Sequence, residues 1–208
     1  MKKDVTKMMA GAENLIAKSV NPRHIAILRN YRRHAMLEVS GLVDEIFAPE
    51  MTVENPRYVS YMPNGSRLIM NGMAEVKEHF YGQIIRYGAN VMILEDEHIA
   101  VDDWGLASEY LSNDYINYRC ALERGFDVKD ENAMYLNRRA VIMTWRYSDD
   151  CRLIGEHVSF ENGGTIEKLA PQDVVTVAEA RRLLSPIWGP LPPRLDRSGR
   201  PLAESVSA

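Results

Sequence analysis

The spacing of apolar residues along this chain of 208 residues changes from a helical to an extended pattern. From Asn21 to Gly41 apolar side chains recur every three or four positions, and Tyr31 belongs to that face. The spacing predicts a long helix with Tyr31 pointing inward. A short helix is predicted over 42–47 and ends before Pro49, because proline disfavours helical backbone in the preceding residue. An extended segment is predicted over 51–56. A third helix is predicted over 72–87.

The second half of the chain is rich in β-branched and aromatic residues, a composition typical of strands. Five strands are predicted, over 89–101, 106–119, 135–147, 152–160 and 165–169. The charged segment 120–133 is interpreted as an exposed excursion of a hairpin. Because helices and strands each bury one apolar face, the order favours an α+β fold. We expect a cone-shaped, curved antiparallel sheet with N-terminal helices packed on its concave face.

The chain is interpreted as three parts. Residues 1–20 form an N-terminal arm, 21–170 one domain, and 171–208 a short helix with a proline-rich tail. Thr176 and Glu179 make a capping box that begins this helix. Large apolar residues in the tail require cover, from the mouth of the domain or from a neighbouring subunit. A homodimer or homotrimer is expected.

Composition excludes several classes of function. A formal net charge of -4 offers no basic surface for nucleic acid. No apolar run approaches the roughly 20 residues of a membrane span, and the first residues lack a signal-like apolar block. Cys120 and Cys151 are too few for a disulfide framework, so a cytoplasmic protein with neither membrane nor nucleic-acid partners is expected.

No motif for a cofactor or a metal is present. The glycine-rich signatures of nucleotide binding and the elbow of serine hydrolases are missing. The histidines lack the i, i+4 spacing and the carboxylate companions typical of metal sites. We therefore expect no cofactor and no metal.

Two segments, FAPEMTVENP at 47–56 and NGMAEVKEHFY at 71–81, carry a family resemblance. They resemble the nuclear-transport-factor-2-like (NTF2-like) superfamily, and within it the ketosteroid isomerases and SnoaL-like proteins. The resemblance covers roughly 21–169 and implies a cone around an apolar pocket. Tyr31 falls where ketosteroid isomerase places an oxyanion-binding tyrosine. Asn55 replaces that family's aspartate base and Met143 its second acid, so the isomerase mechanism is not expected.

Strand alternation offers other acids and bases. If Leu111 faces the pocket, Glu109 and Asn113 do too. The resemblance places Glu156 on the pocket side, whereas His157 faces away unless a bulge intervenes. A buried glutamate has a raised pKa that suits general acid or base catalysis. The alternative is that Glu109 or Glu156 pairs with an arginine at the rim or at an interface.

The candidate residues form two groups. Arg57 and Tyr58 begin a loop that overhangs the pocket, where an arginine would bind an anionic or phenolate oxygen. The catalytic candidates are Tyr31, Glu109, Glu156 and His157. The substrate-binding candidates are Asn55, Arg57, Tyr58 and Asn113.

These residues predict a cofactor-independent lyase or dehydratase for a small hydrophobic substrate. A phenolic substrate, lignin-derived phenols included, suits the loss of water or formaldehyde because a para-hydroxyl acts as an electron sink. This reading is similar to the cofactorless diarylpropane lyases of the superfamily. The alternatives are a polyketide cyclase, an isomerase or an epoxide hydrolase of the same fold. A non-catalytic ligand-binding module is a further alternative, and it predicts a pocket without acids.

Overall fold

The computed structural model describes residues 2–62, 64–87, 90–161, 163–196 and 198–202. The helices are α1 (Ala10–Lys18), α2 (Pro22–Val39), α3 (Val43–Ile46), α4 (Gly72–Glu75), α5 (Gly82–Tyr87), α6 (Tyr118–Glu123) and α7 (Val177–Leu184). The strands are β1 (Arg57–Tyr61), β2 (Arg67–Asn71), β3 (Val91–Asp102), β4 (Gly105–Asn117), β5 (Met134–Tyr147), β6 (Leu153–Phe160) and β7 (Thr165–Lys168). Within these ranges, no helix is both long enough and apolar enough to cross a membrane.

The seven strands form one curved sheet in the order β2-β1-β6-β5-β4-β3, and β7 pairs with the first half of β5. Neighbouring strands are antiparallel except β1 and β6, which run parallel. Gly155 permits that parallel approach, since a Cβ atom there would lie 1.8 Å from the carbonyl oxygen of Arg57. The predicted α+β fold, with helices on the concave face of a curved sheet, is confirmed.

Helix α2 packs across the concave face of the sheet. It begins at Asn21, whose side-chain oxygen accepts a hydrogen bond from the N–H of Arg23 at 2.9 Å. Its buried face carries Tyr31 and His34, and both rings meet Trp145 of β5 edge-on, at centroid distances of 4.9 and 4.4 Å. Aromatic pairs of this geometry add to the stabilisation that burial provides. Helix and sheet thus enclose the space between them.

A β-bulge in β3 changes which of its side chains point inward. The register shifts between Glu95 and His98, where Asp96 has a φ of 54°. The extra residue reverses the alternation beyond it, so Glu97 turns toward α2. The hydrogen bond between Glu97 and Tyr31 depends on this bulge.

Three sequence predictions about local structure are wrong in detail. Residues 51–56, predicted as extended, form turns with a single bridge from Thr52 to Leu153, and the first strand is β1. The helix predicted over 72–87 is interrupted by a π-helical turn at Val76–Phe80. The segment 120–133 contains most of α6, which buries Cys120 in a second apolar cluster.

The described part of the C-terminal tail packs on its own domain. Arg33 of α2 donates a hydrogen bond to the carbonyl of Gly189 at 2.6 Å, and Arg194 donates to Asp150 at 2.6 Å. Leu195 is buried beside Cys151. Assembly into a dimer or trimer stays a prediction.

Replacing Thr176 by alanine should lower the free energy of unfolding by about 1 kcal/mol. The Thr176 hydroxyl oxygen accepts a hydrogen bond from the N–H of Glu179 at 3.1 Å and caps α7, which buries Ala180 and Leu184. Urea unfolding measures the change, and Thr176→Ser, which retains the oxygen, should unfold near the wild-type midpoint. Equal midpoints for Thr176→Ala and wild type would show that this cap contributes nothing.

Candidate active site

A cavity of about 420 Å³ lies between α2 and the concave face of the sheet. That volume suits a small molecule. Most of the buried side chains that line it are aromatic or aliphatic, and they come from α2, β3, β4, β5 and β6. These are Tyr31, Ala35, Leu94, Tyr110, Met143, Trp145 and Val158. None of the lining residues comes from the C-terminal tail, so the described part of the tail does not cover the mouth of the cavity. The mouth was one of the two positions expected for the tail from the sequence.

Two carboxyl groups, Glu38 of α2 and Glu156 of β6, face this cavity. Glu156 is 4% exposed, and the Glu38 side chain is 12% exposed. Among the described residues, no lysine or arginine nitrogen lies within 4.0 Å of either carboxylate. His34 Nε2 is 3.9 Å from Glu38, but burial lowers the pKa of His34 to about 3, so the ring is neutral. Both carboxyls therefore lack a countercharge.

Burial dominates the ionisation of this pair. It raises the pKa of Glu38 to about 8, and the nearby negative charge of Asp114 adds to the shift. Burial also raises the pKa of Glu156 well above its ordinary value. The nearby charge of Glu38 raises this pKa further, whereas a hydrogen bond from Trp145 lowers it. Because ionisation of one carboxyl hinders the other, the pair loses its protons in two separate steps. Between those steps it offers an acid and a base together.

A chain of neutral hydrogen-bonding groups lies behind the cavity. His34 Nε2 and the hydroxyl of Tyr81 are 2.8 Å apart, and the hydroxyls of Tyr81 and Tyr58 are 3.5 Å apart. Burial raises the pKa values of both tyrosines well above their ordinary value. Tyr58, predicted to bind substrate, is fully buried and does not line the cavity. These groups fix the side of α2 from which Glu38 projects.

Tyr31 lines the cavity, as the helical spacing predicts, but its hydroxyl hydrogen is already engaged. It donates to Glu97 Oε1 at 2.5 Å, and the hydroxyl of Ser108 donates to the same oxygen at 2.9 Å. Stabilising a substrate oxyanion would require Tyr31 to leave Glu97.

An ion-pair cluster forms another part of the wall. Buried Asp114 accepts from Arg124 Nη1 at 2.5 Å and from Arg139 Nη2 at 3.1 Å, and Ser112 also donates to it. Burial raises the pKa of Asp114, but the two arginines outweigh it, so the pKa lies below its usual value. This carboxylate stays ionised.

Besides Tyr58, the structure places five other predicted site residues outside the cavity. Glu109 is exposed on the convex face, and Asn113 donates to the backbone carbonyl of Ile93. Both placements are wrong because β4 turns its even-numbered residues inward. His157 faces away from the cavity, as regular alternation predicts, and lies 3.4 Å from the hydroxyl of Tyr61. Asn55 and Arg57 are also exposed and absent from the lining.

Three groups in or beside the cavity were not among the candidates chosen from the sequence. Only the first of them could have been found from a pattern in the sequence. Glu38 stands seven positions after Tyr31 and four after His34, which places all three on one side of α2. The inward residues of β4, Ser108 and Asp114 among them, look solvent-facing in sequence. Their pairing with Glu97 and with arginines has no local signature.

The turn between β3 and β4 brings His24 near Asp102 and Asp103. Their potential ligand atoms lie within 4.8 Å of one another, so the expectation that no histidine has carboxylate companions is wrong. Both carboxylates are exposed, and His24 Nε2 lies 3.1 Å from Asp103. This cluster is remote from the residues that line the cavity.

No family model matches the chain, and no curated protein matches it. Similar solved structures include a putative polyketide cyclase from Xanthomonas campestris pv. campestris, with 12% identity, TM-score 0.47 and coverage of 67% of this chain and 93% of that one. Bal32a, from a soil-derived mobile gene cassette, has 13% identity, TM-score 0.47 and coverages of 67% and 92%. The epoxide hydrolase/cyclase-like enzyme SalBIII, of pyran ring formation in salinomycin, has 13% identity, TM-score 0.43 and coverages of 69% and 93%.

Two of these neighbours, the putative polyketide cyclase and the epoxide hydrolase/cyclase-like enzyme, are of the kinds that the sequence resemblance predicts. At such identities and TM-scores they assign neither a reaction nor a substrate to this chain. The reaction therefore depends on the groups that line the cavity.

Proposed function

We propose that the protein is a cofactor-independent lyase or dehydratase for a small, largely hydrophobic phenolic alcohol. The observation that supports this most is the pair Glu38 and Glu156, two carboxyls without a countercharge in an apolar cavity. Burying such groups costs free energy unless their protons are retained. A pair poised to exchange protons near neutral pH is suited to general acid–base catalysis.

The proposed step moves two protons. The protonated carboxyl gives its proton to a benzylic hydroxyl, the carbon–oxygen bond breaks, and water leaves. The ionised carboxyl takes the proton of a neighbouring primary alcohol, whose carbon–carbon bond breaks to release formaldehyde. The electrons of that bond form the new carbon–carbon double bond. A substrate without the primary alcohol loses a carbon-bound proton instead, and water is the only product released.

The phenol of the substrate has a defined part in this step. Its para-hydroxyl donates electron density to the benzylic carbon as the carbon–oxygen bond breaks. Trp145 and Tyr110 line the cavity and offer aromatic surfaces against which such a ring can pack. Glu38 and Glu156 exchange roles in each turnover, and their total charge is unchanged.

Two alternatives from the sequence can be separated from this proposal. A non-catalytic binding module predicts a cavity without acids, whereas Glu38 and Glu156 face this cavity. Cyclisation, the reaction named for one structural neighbour, would use the same acid and base but leave the mass of the substrate unchanged.

The test is turnover by the purified protein after dialysis against a chelator, with no cofactor added. The probe is a diarylpropane diol with a para-hydroxyl, and products are identified by mass spectrometry. We expect a product lighter by water and formaldehyde, and slower turnover of the same diol with its phenol methylated. No conversion of this diol or of simpler phenolic benzylic alcohols, or a product of unchanged mass, would refute the proposed reaction.

A further inference from the structure

Arg139 is the one guanidinium of the cavity wall, among the described residues, whose hydrogen-bonding capacity is unfilled. It projects from β5 into the lining, its side chain is 16% exposed, and its charge lies 3.9 Å from the centre of the Phe160 ring. Nη2 donates to Asp114, while Nε is buried without a partner within the described ranges. Nη1 likewise has no hydrogen bond among those residues.

Arg124, the other arginine of the cluster, is saturated. Its guanidinium donates to Asp114, Asn137, Gln83 and Asn90. Asp114 thus supplies one negative charge between two guanidiniums. The cluster keeps one unmatched positive charge, and Arg139 is the member that can still accept a partner.

The other carboxyls of the lining do not cancel this charge. Glu38 and Glu156 have raised pKa values and lack cationic partners. At the rim, Glu123 accepts from Tyr87 and Gln83, and Glu161 accepts from the backbone N–H of Ala140. Neither carboxylate lies within 4.0 Å of an Arg139 nitrogen, whose ion pair is with Asp114. A buried cation without a full countercharge is costly, and an anionic ligand would reduce that cost.

We propose that Arg139 binds an anionic oxygen of the substrate, a carboxylate or a phenolate, so that the cavity prefers anionic aromatic molecules to neutral ones of the same shape. This inference rests on the proposed function only in that it names a feature of the same substrate. The planar guanidinium suits such oxygens because its N–H groups make charge-assisted hydrogen bonds. Sequence reasoning assigned this role to Arg57, which lies outside the cavity.

Calorimetric titration with three probes of similar shape tests the subsite. Benzoate and para-nitrophenolate are the anionic probes, and benzamide is the neutral one. We expect at least one anion to bind the wild-type protein about 10-fold or more tightly than benzamide, the range of a charge-assisted hydrogen bond. The anion that binds more tightly than benzamide shows whether the oxygen bound by the protein is that of a carboxylate or of a phenolate.

Three variants locate the binding group. Arg139→Gln should abolish the preference for the anion, and Arg139→Lys should retain part of it. Arg138→Gln is the matched control, because Arg138 is the neighbouring residue, is 43% exposed, and pairs with Glu95 at 3.1 Å. Circular dichroism and thermal melting confirm folding of each variant.

Equal binding of benzamide and both anions to the wild-type protein would overturn the inference without reliance on any variant. A preference that survives in Arg139→Gln would overturn the assignment to Arg139. These results are independent of catalysis, since Glu156→Gln should bind benzoate at least as well as wild type. A preference that depends on Arg139 in a protein without turnover would preserve the subsite and refute only the proposed lyase reaction.

Discussion

Replacing Glu156 by glutamine should lower kcat/KM for the diarylpropane diol by about 100-fold to 10,000-fold, the range over which a positioned acid or base contributes. Glutamine keeps the shape of the side chain and can neither give nor take a proton at neutral pH. The fold should survive, because the substitution removes a carboxyl whose charged form burial disfavours. Steady-state kinetics with product detection by mass spectrometry measure the loss.

Glu38→Gln should cause a loss of similar size, because the two groups act as one pair. Glu109→Gln is the matched control, since Glu109 is exposed on the convex face of the sheet. It should leave kcat/KM unchanged. Full activity in both Glu38→Gln and Glu156→Gln would contradict the assignment of the acid–base pair.

The free energy of unfolding should fall as the pH rises from 6.5 to about 8. The pKa of Glu38 is raised from 4.5 to about 8, so the folded state keeps a proton that the unfolded state releases. Stability from that proton is present at low pH and is lost as the pH rises through the folded pKa. For one such group the slope approaches about 1.4 kcal/mol per pH unit. Glu156, whose pKa is also raised, acts in the same direction.

His34 has the opposite effect at lower pH. Its pKa falls from 6.5 to about 3, so the unfolded state binds the extra proton and stability rises with pH across that interval. The two effects oppose one another below pH 6.5, and the carboxyls act unopposed by His34 above it. Urea unfolding at a series of pH values gives the profile.

Glu38→Gln should flatten the fall in stability above pH 6.5 and unfold at a higher urea concentration than wild type near pH 8. Glu109→Gln should retain the wild-type slope. A wild-type stability that is constant or rises over this interval would show that Glu38 does not hold its proton in the folded protein.

The parts of the fold that follow regular periodicity could be predicted. The three-and-four spacing of α2 placed Tyr31 inward, and β3 to β7 lie close to the predicted strands. Which residues of a strand point inward is harder to predict, because both faces of β4 mix polar and apolar residues. Ser108 and Asp114 look solvent-exposed in sequence, yet their polar groups are paired inside the cone by Glu97 and by Arg124. The face of β4 that points inward therefore depends on partners that are distant in sequence.

The site shows the same division between local and distant information. Glu156 could be placed in the cavity from strand alternation and the family resemblance together, and Glu38 was within reach of the helical spacing. Glu97 was not, since the bulge at Asp96 reverses the alternation that would have turned it outward. Arg139 needed knowledge of Asp114 and Arg124, which tertiary packing brings to it.

Because the tail packs over its own domain, the two cysteines are covered by different parts of the chain. Chemical modification of each cysteine therefore detects a different local opening. Cys151 is buried beside Leu195 of the tail, and Cys120 is buried at the start of α6 in the second cluster. A thiol reagent reaches either sulfur only when its cover opens, so the labelling rate measures how often that opening occurs. Removal of residues 194–208 should accelerate modification of Cys151 and leave that of Cys120 unchanged. The rate at which Cys151 is modified therefore measures how often the C-terminal segment detaches from the domain.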